Sequence, residues 1–288
     1  MRTTITLGGV DVPCFELGSG SPRVSVLGGI HGCEYSSIAA VTKIMRELEQ
    51  EDLNGTVVGV PVVSMQSFVE RSPFVVPEDG KNLNRAFPGD PDGTYTDRLA
   101  HDIFTQLIEP FDAVLDLHGG DLVEALEPFA LFHGAAKDLA LAFGLPYVVD
   151  STGSLEGSTS GAAAAAGTLG VIAEAGGFGQ LTEDAVALLS DGARQALAQL
   201  GVLESNAQPS ASQIVSRFQW LYSEPAGFWV AQVGTGERVQ AGQPLGEVRD
   251  LYGDVLQTVT APEAGVVLFL TTSAAVQANG LLMGLGCD

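Results

Sequence analysis

The sequence predicts an α/β fold: a mixed, largely parallel sheet with helices on both faces, followed by a small C-terminal all-β domain. Three observations carry this expectation. Short β-branched, apolar runs alternate with stretches of helical periodicity up to about residue 200. A hydrophobic share of 45% in 288 residues is ample for a large buried core. After about Ser205 the pattern changes to short alternating strands punctuated by Gly and Pro. The two domains are therefore expected at residues 1–205 and 206–288.

Taken in order, residues 23–30 (Arg-Val-Ser-Val-Leu-Gly-Gly-Ile) read as a buried strand that delivers the chain to His31. Ile38, Val41, Met45 and Leu48 then recur at helical spacing. Residues 56–64 are β-branched and apolar, a second strand. Residues 73–92 are rich in Pro, Gly, Asp and Asn and read as a long loop, of a length that in a compact domain is usually functional. Residues 94–108 have helical periodicity, and 112–118 form the next strand. Residues 146–150 and 170–174 are two further short strands. Between them, residues 151–167 are poor in bulky side chains and let backbones pack closely. Thr182 is placed as an N-cap with Glu183 and Asp184 in the first turn, and Gly201 as the stop. Asn206 begins a linker-like stretch, after which strands are expected at 227–233, 247–249, 255–260 and 265–270. That module contains no histidine and no lysine, so it offers no obvious metal ligand.

The charge balance is lopsided, with 35 Asp and Glu against 13 Lys and Arg, a net −22. A field of that sign repels nucleic acid and anionic membrane, so neither is expected as a partner. It suits solubility or adaptation to salt. An anionic substrate would need a local positive pocket built from the few arginines and a metal. No signal-peptide pattern or membrane-spanning run is present, and three scattered cysteines suit a reducing compartment, so a cytoplasmic location is expected.

The chemistry centres on Gly28-Gly29-Ile30-His31-Gly32-Cys33-Glu34. An imidazole and a carboxylate three residues apart can reach one metal ion where a helix begins. A catalytic zinc keeps three protein ligands and an open position, so a third ligand is needed elsewhere. Four histidines exist, and His118 closes the apolar run of residues 112–118. Alone, a His-x-x-Glu reads first as a helix start with a surface histidine, and it is the later motifs that reverse this reading. Glu174, in Val171-Ile-Ala-Glu-Ala-Gly-Gly177, is a carboxylate ending an apolar strand, costly unless partnered and suited to act as a general base. His31, His118 and Glu174 all follow the C-terminal ends of expected strands, the edge at which ligands gather in open α/β sheets. In the long loop, Asn84 and Arg85 combine an amide with a planar guanidinium fork, a carboxylate-binding pair if the backbone there is irregular.

His31-Gly-Cys-Glu34, Asn82-Leu-Asn-Arg-Ala-Phe-Pro-Gly89, Asp116-Leu-His118 and Glu174-Ala-Gly-Gly177 together resemble the motif series of the succinylglutamate desuccinylase/aspartoacylase family, relatives of the zinc carboxypeptidases. The resemblance covers about residues 20 to 180. Ser223-Glu-Pro-Ala-Gly227, Gly236-Glu-Arg-Val-Gln-Ala-Gly242 and Ala261-Pro-Glu-Ala-Gly265 resemble that family's second domain. It implies a zinc carboxypeptidase-like fold, one zinc ion per chain held by His31, Glu34 and His118, a general base at Glu174, and recognition of a substrate carboxylate by Asn84 and Arg85. Some relatives carry a carbonyl-polarising arginine three residues before the proline matching Pro77. This chain has Phe74 there, and Arg71, one short step earlier, is the candidate.

The function this implies is zinc-dependent hydrolysis of the amide of an N-acylated amino acid or related small metabolite bearing a carboxylate. The alternatives are a zinc carboxypeptidase acting on short peptides and a non-catalytic metal- or ligand-binding protein. The resemblance is also compatible with a homo-oligomer.

Overall fold

The computed structural model describes residues 1–204 and 211–287. The boundary at 205/206 and the linker read from Asn206 onward lie outside the described residues. Among the described residues, ten strands precede residue 216: β1 (Arg2–Leu7), β2 (Val10–Ser19), β3 (Arg23–Leu27), β4 (Gly55–Val60), β5 (Ala113–His118), β6 (Glu124–Leu126), β7 (Phe129–Phe132), β8 (Tyr147–Asp150), β9 (Leu169–Glu174) and β10 (Gln213–Val215). The α-helices are α1 (Tyr35–Leu48), α2 (Met65–Glu70), α3 (Tyr95–Ile103), α4 (Lys137–Ala142), α5 (Thr159–Ala166) and α6 (Glu183–Gln199).

Nine strands form one sheet in the order β1-β2-β4-β3-β5-β9-β7-β8-β10. Pairing is parallel between β3 and β4, β3 and β5, β5 and β9, β7 and β8, and β8 and β10. It is antiparallel for β1–β2, β2–β4 and β7–β9. The period-two alternation of these strands divides their side chains between two cores. Val24, Val26, Leu115, Leu117, Val171 and Ala173 pack with α1, α4 and α6 on one face. On the other, Leu27, Val60 and Val114 pack with α3 and α5. That second face changes its cover along β9, whose Gly170 still meets α5. There Phe129, Leu131 and Ile172 meet Val215, Val266 and Leu268, so strands replace helices.

Those covering strands belong to β11 (Arg217–Tyr222), β12 (Gly227–Ala231), β13 (Arg238–Val239), β14 (Pro244–Arg249), β15 (Val255–Thr260), β16 (Gly265–Thr271), β17 (Ala275–Val276) and β18 (Leu281–Cys287). They form a sheet ordered β11-β18-β16-β13, with β6 added on β16, and a second sheet ordered β15-β14-β12-β17. Two strands cross between the layers: β6 pairs with β16, and β10 pairs with β8. The small-residue segment contains α5, and its close packing is literal. A Cβ on Gly170 of β9 would stand 2.8 Å from the Cβ of Ala163.

Other expectations are refined. The stretch 94–108 is α3 followed by a π-helical turn, Phe104–Ile108. Thr182 caps α6 by position without a side-chain hydrogen bond, whereas Thr94 forms a reciprocal capping box with Asp97. The long loop carries one 3-10 turn, Leu83–Arg85. It is tied to α3 by Asp79, which accepts hydrogen bonds from the Thr94 hydroxyl, the Thr96 hydroxyl and the Thr96 N–H (2.9 Å).

Burial alone would raise the Asp79 pKa, but the bonds from Thr94 and Thr96 overcome it and hold the carboxyl at about 2. Its folded pKa is thus depressed, so its stabilisation is complete above the unfolded value of about 4 and is lost as pH falls towards about 2. Asp79→Ala should therefore lower the urea midpoint at pH 7. The gap from wild type should shrink steadily between pH 5 and the acid transition, measured by denaturation at each pH.

Candidate functional site

His31 follows the short Gly28-Gly29-Ile30 stretch after β3, and Glu34 precedes α1 at its N-cap position. The turn between them is tight because Gly32 lies against α2: a Cβ there would stand 2.1 Å from the Ser67 carbonyl carbon. His118 is the last residue of β5 and shares a face with Asp116 two residues earlier. All four side chains are buried.

The hydrogen bonds fix how the rings are oriented. Asn82 Oδ1 accepts from the Asn84 N–H at 2.8 Å, so it is the oxygen that faces His31 Nε2 at 3.1 Å. Asp116 Oδ2 lies 2.9 Å from His118 Nε2 and also accepts from the Thr159 hydroxyl. Both Nε2 atoms therefore carry hydrogen and donate. This leaves both Nδ1 atoms aimed at Glu34, His31 at Oε1 (2.6 Å) and His118 at Oε2 (3.0 Å). In neutral rings those nitrogens present lone pairs to carboxylate lone pairs, which repel unless a proton or a metal cation lies between them.

The titration behaviour expresses that demand. Burial alone would lower both histidine pKa values, yet Glu34 raises that of His31, and Asp116 and Glu34 raise that of His118 well above its usual range. Burial would raise Glu34, but His118 and His31 hold it at about 2. One nitrogen from each ring and one Glu34 oxygen lie within 4.8 Å of one another, so a divalent cation could take the place of the protons. The donor set of two imidazoles, one carboxylate and their outer hydrogen-bond partners fits a metal centre.

A cavity of about 950 Å³ opens from this triad. Glu174, Asn84 and Arg85 line it, as do Phe74, Glu124 and Glu156. Its apolar end is walled by Phe129, Leu131 and Ile172 of the main sheet and by Phe218, Trp220 and Phe269 of the second. Register explains the convergence: His118 is the partner of Glu174 across β5–β9, and Glu174 is the partner of Phe129 across β9–β7. Burial pushes the Glu174 carboxyl up to about 8; Glu34 and Glu124 add to the push while His118 and His31 oppose it. Asn84 Oδ1 accepts from the Thr159 N–H (3.1 Å), leaving its amide nitrogen as a donor. Arg85 donates to the Asn84 carbonyl at 2.7 Å; burial lowers its pKa while the nearby Tyr222 and Glu174 raise it. The 3-10 turn is what allows these neighbours to face one cavity.

The structure does not bring Arg71 to this cavity. Arg71 caps α2 in a left-handed conformation (φ 54°), is exposed, and is absent from the lining. Phe74 occupies the approach instead, its ring stacked on His31 with centroids 5.3 Å apart. Sequence reasoning also missed Glu124 and the aromatic residues of β11. Of the other histidines, His101 is half-buried on α3. His133 is buried at the end of β7, beside Ser151 and the Ser154 carbonyl.

The fold and the site together define an amide-hydrolase family. Residues 20–200 match the succinylglutamate desuccinylase/aspartoacylase catalytic domain, and the chain belongs to that family. It is 34% identical over 260 residues to the N-alpha-acetyl-L-2,4-diaminobutyric acid deacetylase of Halomonas elongata, covering 85% of this chain and 75% of that protein. Among solved structures, the product-bound ectoine utilization protein EutE (DoeB) of Ruegeria pomeroyi superposes with a TM-score of 0.87 at 25% identity, covering 100% of this chain and 94% of the other. A succinylglutamate desuccinylase of Silicibacter sp. superposes with a TM-score of 0.80 at 28% identity, covering 96% and 88%. Among the described residues, no helix is long and apolar enough to cross a membrane.

The raised Glu174 pKa has a measurable consequence in metal-free protein. Between the unfolded carboxylate value of about 4 and the folded value of about 8, the native state holds a proton that the unfolded state has lost. Stability contributed at this position therefore falls as pH rises through that window. Glu174→Gln should gain stability relative to wild type from pH 5 to pH 8 in chelator, and the gain should level off above it, measured by urea midpoints.

Proposed function

We propose that this protein is a zinc-dependent deacylase that hydrolyses the amide of a small N-acetylated amino acid of the diaminobutyrate type. The observation that carries the reading is the arrangement of His31, Glu34 and His118 around one point, with Glu174 and Arg85 on the same cavity. The curated relative's activity supports the acetyl group and the amine. Two imidazole nitrogens and a carboxylate oxygen suit zinc, and three protein ligands leave it an open position.

His31, Glu34 and His118 would hold the ion, and the chemistry it supplies when bound is Lewis acidity towards the amide carbonyl and water. Arg85 and the Asn84 amide nitrogen bind the substrate carboxylate and so fix which amide reaches the centre. Glu174 takes the proton from the attacking water and delivers it to the nitrogen of the departing amine. The surroundings of Glu174 suit both halves of that task, since burial makes it a stronger base than an exposed carboxylate and equally ready to hold the proton in transit. Phe74 stacks on His31, and the triad itself is buried, which limits its contact with bulk water.

A deacylation screen of N-acetyl, N-succinyl and N-aspartyl substrates, before and after chelation, tests the reading. N-acetyl substrates should be cleaved, chelation should abolish turnover, and one equivalent of zinc should restore it. Hydrolysis of peptides in preference to N-acetyl amino acids would overturn it. Glu174→Gln should keep its zinc, by elemental analysis, and lose about 10²- to 10⁴-fold in kcat. Arg85→Ala should act mainly on KM for substrates bearing a carboxylate.

A further inference from the structure

Of the two cavity carboxylates that the proposed mechanism leaves unused, Glu156 is exposed and Glu124 is half-buried. Glu124 opens β6, the short strand that leaves the main domain to pair with β16. Its backbone is clamped to the chain beyond Glu174: Ala125 bridges Gly177, and the Phe178 N–H donates to the Glu124 carbonyl at 2.7 Å. Gly177 makes this approach possible, because a Cβ there would stand 2.6 Å from the Glu124 carbonyl oxygen. By strand alternation Glu124 and Leu126 share a face, and both line the cavity. Leu126 pairs with Phe269 at the apolar end. Glu124 thus stands where the polar reaction site gives way to the aromatic wall.

One of its oxygens is held, with Oε2 accepting from the Asp121 N–H at 2.9 Å. Among the described residues no lysine or arginine pairs with it. The neighbouring Asp121 carboxylate, by contrast, is engaged by the Phe74 and Leu122 N–H groups. A half-buried carboxylate lining a cavity without a cation is costly, and a cationic ligand removes that cost.

We propose that Glu124 is the specificity residue for a free ammonium on the substrate, so that the cavity selects zwitterionic N-acylated diamino acids over neutral or anionic ones. The inference rests on the deacylase reading above and deepens it. Burial pushes the Glu124 carboxyl up to about 7, with the charges of Glu34 and Asp121 adding to the effect, as expected of a carboxylate lacking its counter-ion. The carboxylate of the substrate is held at Asn84 and Arg85, its ammonium at Glu124, and the scissile amide lies between them facing the triad.

The test compares Nα-acetyl-2,4-diaminobutyrate with Nα-acetylnorvaline, in which a methyl group replaces the ammonium at equal length. Wild type should prefer the charged substrate by on the order of 10- to 100-fold in kcat/KM, the range of one charge-assisted hydrogen bond. Glu124→Gln, which keeps shape and removes charge, should narrow that ratio to within about threefold. An unchanged ratio with both rates reduced, or a wild type indifferent to the ammonium, would overturn the assignment. Calorimetric binding of free 2,4-diaminobutyrate to wild-type and Glu124→Gln protein gives a readout independent of turnover. If no amide is cleaved, the deacylase reading fails. A tenfold or greater loss of diaminobutyrate affinity in the variant would still support Glu124, and equal affinity would reject it.

Discussion

Two imidazole nitrogens facing the two oxygens of one buried carboxylate form the constraint on which the rest of the site depends. His31 and His118 each spend their Nε2 hydrogen on a partner elsewhere, Asn82 and Asp116, and so have only Nδ1 left for Glu34. Such an arrangement is stable with a positive charge in its midst and unstable without one. Protons can supply that charge, as the raised histidine pKa values indicate. A divalent cation supplies it without using up the ring lone pairs as proton acceptors. The outer partners are anchored in turn: Asn82 by the Asn84 N–H and Asp116 by the Thr159 hydroxyl, so loop, strand and α5 all bear on the ring positions.

Strand order delivers these groups to one place. β3, β5 and β9 run parallel and adjacent, and a candidate site residue stands at or just beyond the C-terminal end of each. One further pairing, antiparallel β7 on β9, sets Phe129 beside Glu174 and turns the face beneath the reaction site apolar. Helices could cover the sheet there, as α3 and α5 do elsewhere on that face. The strands that cover it instead carry Phe218, Trp220 and Phe269, which leave a chamber rather than a filled interface. β6 links the two layers and brings Glu124 with it.

The sequence made the triad legible because its signals are local or periodic. His31 and Glu34 lie within one turn, His118 and Glu174 each end an apolar run, and Asn84 and Arg85 sit in a conspicuous Gly- and Pro-rich loop. The short covering elements were much less visible. β7 is four residues long, with no polar alternation because both its faces are buried, and β6 is three. The hairpin of β1 and β2, the whole of β11 and the last strand, β18, fall outside the strands expected from the sequence. β11 in particular alternates Phe218, Trp220 and Tyr222 towards the cavity, but its register against β18 is a long-range fact. Arg71 and Phe74 illustrate the same limit. Which of two nearby loop residues faces a site depends on backbone turns, here two left-handed residues at φ 54° and 62°, that composition does not encode.

The acidic surface and the proposed substrate can be reconciled through charge. A chain at −22 creates a field that opposes the approach of anions, and a dianionic N-acyl amino acid would meet it at full strength. An Nα-acetylated diamino acid is a zwitterion with no net charge, so the long-range field neither attracts nor repels it. Only inside the cavity do its two ends separate into different environments. In the proposed binding mode Arg85 meets the carboxylate and Glu124 meets the ammonium, both on one cavity. Local pairs at a half-buried group such as Glu124 are less screened than fully exposed charges. A protein can thus keep a strongly negative exterior and still bind a carboxylate, at less electrostatic cost when the ligand carries its own compensating positive charge.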